Sequence, residues 1–149
     1  MENHTKVEAL NCKPYLMKTF DAEVVQEIKK YTQGAELEAY VYCVKNKSWI
    51  LFLMFGLLAQ TPYIMAVRDD QFLFLRSNFG GNKFKQEYFV LQKSDIQDVR
   101  YKKFIWANYI TIVKKDGTKL QIVVSALYKR LEKQAGNLEI IKRKLGILG

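Results

Sequence analysis

From Ser48 to Val67 the chain reads SWILFLMFGLLAQTPYIMAV, twenty positions without a charged side chain. That length meets the requirement for a transmembrane helix, so this run constrains the fold more than any other. Gln60, Thr61 and Pro62 interrupt it and leave Trp49–Ala59 as the continuously apolar part, a length that suits a buried helix better than a membrane span. Pro62 also disfavours helix at Thr61 and removes one backbone donor. The run therefore predicts a short apolar helix over 49–59 and then a strand over Tyr63–Val67. Its flanks, Lys45 and Lys47 before and Arg68, Asp69 and Asp70 after, set no orientation across a bilayer.

The rest of the chain reads as one folded domain. Hydrophobic residues make up 49% of 149, with only two prolines and eight glycines, which excludes a disordered or low-complexity chain. Residues 1–19 show no periodicity and are expected to be an irregular lead-in to a single domain over 20–149. Phe20, Val24, Val25, Ile28 and Tyr31 then recur at helical spacing, with Gly34 just beyond, and predict an amphipathic helix. Strands are expected over Ala39–Val44, Tyr63–Val67, Phe72–Leu75, Phe84–Leu91, Ile96–Ile105, Ala107–Lys114 and Lys119–Val124. Phe79-Gly80-Gly81-Asn82 supplies one turn. Asp116-Gly117 joins the last two strands as a dipeptide suited to two positive φ angles, with Ile110 and Ile112 facing Leu120, Ile122 and Val124. Leu127, Leu131, Leu138, Ile141 and Leu145 fall on one stripe of a basic closing helix, which Gly136-Asn137 is expected to kink or split.

Tyr63–Leu75 resembles the hairpin of bacterial pleckstrin-homology-like and GRAM-type domains, and Leu91–Val99 looks like their approach to the following strand. With the Asp116-Gly117 hairpin and the closing helix, the resemblance spans roughly residues 36–146. It implies an α+β fold: a bent antiparallel β-barrel of about seven strands, an N-terminal helix, the short apolar helix after the first strand and a C-terminal capping helix. The chain departs from the phosphoinositide-binding members of that family. Between its first two strands it has Lys45-Asn46-Lys47 and the apolar run instead of a Lys-x(n)-Arg-x-Arg cluster. It also lacks the tryptophan of their closing helix, a space Leu131 is expected to fill.

Candidate chemistry is sparse. Cys12, Cys43 and His4 are the only cysteines and histidine, too few for a four-coordinate zinc site, and they form no nucleophile–base arrangement. No metal, cofactor or small-molecule substrate is expected, and the domain is expected not to be an enzyme. With no charged-then-apolar leader, the expected location is a reducing cytoplasm, in part at the membrane periphery. Asp69-Asp70 reads as a turn.

Charge and exposed apolarity point instead to interactions. Basic side chains number 24 against 15 acidic, a formal +9, and residues 100–149 alone carry 12 basic and 3 acidic groups. Such a field favours anionic partners. Arg100-Tyr101-Lys102-Lys103-Phe104-Ile105-Trp106 interleaves basic and aromatic residues, so Arg100, Lys102 and Lys103, with Lys129, Arg130 and Lys133 of the closing segment, form the expected anion-binding set. Its structural alternative is an edge strand whose lysines deter pairing. Trp49, Phe52, Leu53, Phe55 and Leu57 exceed what a helix on a small domain can bury in its own chain, and form an expected oligomer interface. The leading expectation is a non-catalytic protein-binding or self-assembling scaffold, a homo-oligomer or partner of another protein. Weak electrostatic binding to an anionic membrane surface is the alternative, and nucleic-acid binding comes third.

Overall fold

The computed structural model describes residues 19–34, 36–46, 60–78 and 83–147. They form two helices, α1 (Asp21–Lys29) and α2 (Gln134–Lys144), and seven strands: β1 (Ala39–Asn46), β2 (Gln60–Arg68), β3 (Gln71–Ser77), β4 (Phe84–Gln92), β5 (Ile96–Phe104), β6 (Ala107–Lys114) and β7 (Lys119–Ser125). Every pairing is antiparallel, in the order β4-β3-β2-β1-β7-β6-β5. β4 and β5, joined through a 3-10 turn at Lys93–Asp95, are the two ends of this ladder. The sheet is therefore open, not the closed barrel of the family expectation.

β1, β2 and β3 each carry a continuous apolar run, Ala39–Val44, Tyr63–Val67 and Phe72–Leu75, because both of their faces are covered. On one face Val24 and Ile28 of α1 pack with Tyr40, Tyr42, Ile64, Ala66, Leu73 and Leu75. On the other, Leu138, Ile141 and Leu145 of α2 and its C-terminal end pack with Val41, Cys43, Met65, Phe72 and Phe74. The β6–β7 hairpin adds Ile110, Ile112, Leu120, Ile122 and Val124 to that second core. Ile110 lies opposite Ile122 and Ile112 opposite Leu120, as the alternation predicts.

α2 also enters the sheet's hydrogen bonding. β1 meets β7 only at Val44–Asn46, so the β1 backbone at Tyr40 and Tyr42 has no strand partner on that side. Gln134 fills the gap. Its Oε1 accepts from Tyr42 N at 2.9 Å, and its Nε2 donates to Tyr42 O at 2.9 Å and to Ser125 O at 3.1 Å. One turn later Asn137 Nδ2 donates to Tyr40 O at 2.9 Å. α1 is clamped to the segment before α2: Asp21 accepts from Tyr40 Oη and from Glu132 N, each at 2.6 Å, and Phe20 N donates to Arg130 O at 2.8 Å.

Several expectations need correction. The chargeless run is not one helix, because residues 60–67 belong to β2; the helix expected over 49–59 lies outside the described residues. β2 starts before Pro62 instead of after it. The β1 groups of this parity, Tyr42 N and O, point away from β2, so Pro62, opposite Val44, has no N–H to supply to β1. Its other side precedes the first β2–β3 pair, Tyr63 with Arg76, which leaves proline tolerable there.

The closing helix starts at Gln134, so Leu127 is exposed before it, and Leu131 packs into the α1 core. α2 runs unbroken through Gly136-Asn137 instead of splitting there, and Asn137 anchors it to β1. The β6–β7 turn has one positive φ, at Gly117 (+89°), rather than two. Gly117 N donates to Lys114 O at 2.9 Å and Lys114 N to Thr118 O at 2.8 Å, a three-residue loop ending in a left-handed glycine. Asp69-Asp70 is the β2–β3 turn, with Asp69 at φ 52°. The Phe79–Asn82 turn lies outside the described residues.

Candidate functional site

Alternation along β5 sorts the basic-aromatic stretch into two faces. Val99 and Tyr101 turn inward and pack against the core. Arg100, Lys102 and Phe104 turn outward, and with Tyr109, Thr111 and Gln121 of β6 and β7 they line a shallow groove of about 400 Å³. The register explains the lining, because Arg100 lies opposite Thr111, Lys102 opposite Tyr109, and Thr111 opposite Gln121. Arg100 Nε is 3.4 Å from Asp98 Oδ2 in an exposed pair, which adds little stability. Among the described residues no carboxylate pairs with Lys102 or Lys103, and both are exposed.

The expected anion-binding set divides in space. Lys129, Arg130 and Lys133 lie on the β7–α2 connection. Arg130 is half-buried, its guanidinium 5.4 Å from the centre of the Phe20 ring, a packing contact that binds α1 to this connection. Lys133 lines a different cavity, of about 480 Å³, beside Asp21, Lys29 and Glu132. Lys129 is exposed. The five apolar residues of the expected oligomer interface, Trp49, Phe52, Leu53, Phe55 and Leu57, lie outside the described residues.

The β5–β6 turn departs from its expectation. β5 ends at Phe104, not Ile105, and Phe104 pairs with Ala107 across the two-residue turn Ile105-Trp106. Ile105 has φ 57°, a left-handed conformation that is rare for a β-branched side chain. Phe104, Ile105 and Trp106 are 62%, 64% and 51% exposed, and Leu127, on the adjoining connection, is 56% exposed. Ala126 N donates to Trp106 O at 3.1 Å, which holds that connection against the turn. Neither glycine, asparagine nor proline marks this turn in the sequence, so turn chemistry gave no signal for it.

Below the turn is a buried polar brace. Asn108 is buried on the inner face of β6. Its Oδ1 accepts from Tyr101 Oη, and its Nδ2 donates to Val124 O at 3.2 Å and to Trp106 O at 3.4 Å. One carboxamide thus joins β5, β7 and the turn. Lys142, buried on α2, places Nζ 4.6 Å from the centre of the Tyr101 ring and 3.5 Å from Glu139 Oε1, so Tyr101 is held from both ends.

Titration shifts elsewhere have structural causes. Burial pushes the Cys43 thiol and the Tyr40 and Tyr42 phenols well above their ordinary ranges, Tyr40 also through its bond to Asp21. Burial pushes Tyr128 up to about 12. Hydrogen bonds from Thr118 hold the Asp116 carboxyl below the usual range. Among the described residues no three His, Cys, Asp or Glu side chains gather as a metal site, and no helix is long and apolar enough to cross a membrane. No protein-family model matches the chain, and no curated protein matches it.

Proposed function

We propose that this chain is a non-catalytic interaction domain of the pleckstrin-homology-like kind that associates electrostatically with anionic membrane surfaces. The fold part of this reading is supported by the antiparallel order of seven strands and by α2 covering one core. The observation that carries the function is the outward face of β5, where Arg100 and Lys102 flank an aromatic-lined groove and Lys103 is exposed beside it. Residues 99–131 contain eight basic side chains and a single acidic one, Asp116. Asp116 sits at the far end of the β6–β7 hairpin, roughly 23 Å of strand from the β5–β6 turn. Asp98, just before this stretch, is the exposed partner of Arg100, whereas Lys102 and Lys103, nearer the turn, have no carboxylate partner among the described residues. Anionic headgroups attract each such cation by about 1 kcal/mol.

Vesicle flotation tests the reading. Binding to phosphatidylcholine vesicles containing phosphatidylserine should exceed binding to phosphatidylcholine alone and should fall steeply as salt rises. Reversing the charge at Lys102 and Lys103 together should weaken it by at least about tenfold. Equal binding to neutral vesicles, or binding indifferent to salt, would defeat the electrostatic reading. Self-assembly through the 49–57 segment is a separate proposal, carried by the sequence.

A further inference from the structure

Resting on the membrane-surface reading, we propose that the β5–β6 turn is a preformed wedge: Phe104, Ile105 and Trp106 enter the acyl boundary of an anionic bilayer while Lys102 and Lys103 remain at the headgroups. Three consecutive large apolar side chains, each more than half exposed, stand at the end of a two-residue hairpin with Leu127 beside them. Exposed apolar residues scattered singly are ordinary, whereas a contiguous exposed group marks a contact surface, and here it adjoins the exposed Lys102 and Lys103. Tryptophan and lysine are the residues that settle at a membrane interface, the ring at headgroup depth and the ammonium reaching outward.

Shape favours a bilayer over a protein. A stable protein interface covers about 800 Å² on each partner, and a convex tip of a few side chains would need a matching hollow to reach it. A lipid surface accommodates a protruding tip without one. The turn is also built to keep its shape. Ile105 holds a left-handed conformation that an asparagine or glycine would adopt more easily. Asn108 ties the turn carbonyl to β5 and β7 from below. Local strain of this kind persists only where the surroundings hold it, and it gathers at contact sites.

The test uses the full chain carrying Trp49→Phe, so that Trp106 alone reports, with phosphatidylcholine vesicles with and without phosphatidylserine. Vesicles whose phosphatidylcholine is brominated on the acyl chains probe depth. The expected result is a blue shift of Trp106 emission on anionic vesicles and quenching by the brominated chains. Ile105→Asn relieves the backbone strain and should fold at least as well, yet should weaken partitioning by at least about fivefold. If Trp49→Phe fails to fold, the difference between the parent chain and Trp106→Phe gives the same reading. Salt-sensitive binding with Trp106 neither shifted nor quenched, and Ile105→Asn unchanged, would overturn the wedge and leave the electrostatic reading standing. Absence of any binding at low salt would end both. A blue shift that grows with protein concentration in the absence of vesicles would show that a second copy covers the tip, and would overturn the wedge.

Discussion

Gln134 is the residue whose removal the fold should feel most, because three backbone groups of β1 and β7 depend on one side chain. Gln134→Ala would leave Tyr42 N, Tyr42 O and Ser125 O without that partner, and buried groups without partners are expensive. The expected loss is about 3 kcal/mol, measured as a drop in the urea midpoint at unchanged slope. A loss below about 1 kcal/mol would mean that water or a shift of β7 replaces the carboxamide. Buried phenols set a second property at this scale. Tyr42 stacks on Tyr128 with ring centres 4.4 Å apart, and burial raises both, Tyr128 to about 12. Between about 10, where unfolded tyrosine titrates, and these raised values, the folded chain keeps protons that the unfolded chain releases. Stability is then full below about pH 10 and declines as pH rises toward and beyond 12. The Cys43 thiol, raised by burial, extends the decline downward toward about 8.5. Urea midpoints measured from about pH 9 to about pH 11 should fall in the parent chain, and more shallowly in Tyr42→Phe/Tyr128→Phe. Parallel slopes would show that these phenols do not set the alkaline limit.

Two glycines show how element context decides the sign of one substitution. Gly136 lies in α2 with a right-handed backbone and open space where a Cβ would stand, so Gly136→Ala should stabilise by about 1 kcal/mol. Gly117 also faces open space, but at φ +89°, so Gly117→Ala should destabilise by about 1 kcal/mol through its backbone alone. Thermal midpoints should move in opposite directions, and a shift of the same sign in both would contradict the assigned turn. The same hairpin shows what local chemistry can foretell. Asp116-Gly117 announces a turn, and Asp116 Oδ1 does accept from Thr118 N at 2.9 Å and Thr118 Oγ1 at 2.6 Å. Whether one or two residues take positive φ depends on loop length, and loop length follows the register that places Val113 opposite Lys119. That register comes from matching inward faces, not from the dipeptide.

For the whole molecule, the connection from β1 to β2 leaves from Asn46 and returns at Gln60, which pair with each other, and Asn46 also pairs with Gln121. Asn46 and Gln60 therefore stand at the β7 end nearest the Asp116-Gly117 turn, and Ser125 and Ala126 at the end beside the β5–β6 turn. Lipid contact through β5 and assembly through Trp49–Leu57 are separate proposals and are tested separately. Light scattering should give the parent chain a mass above the monomer, and Phe52→Asp or Phe55→Asp, made singly, should lower it toward 17.5 kDa while leaving vesicle binding through β5 intact. A monomeric parent would end the assembly proposal.

Secondary structure was largely legible in this sequence because its signals are local. Runs of branched and aromatic residues located all seven strands within a few residues, and alternation in the last two gave the inward pairs Ile110 with Ile122 and Ile112 with Leu120. The two-sided burial of β2 and β3 was likewise legible, since runs such as Tyr63–Val67 have no polar face to offer water. Tertiary structure decided what depends on residues far apart in the chain. Gln134 meets Tyr42 across 92 positions, and its role exists only because β1 outruns its pairing with β7. Charge alone groups Arg130 with Lys102, yet the docking of α1 on the β7–α2 connection sets its guanidinium 5.4 Å from the centre of the Phe20 ring. The Ile105-Trp106 turn carries no turn-forming residue, so only the pairing of β5 with β6 and the Asn108 brace could bend the chain there. Local pattern sets where strands and helices form; which polar atoms are satisfied, and which apolar side chains remain outside, depends on how those elements meet.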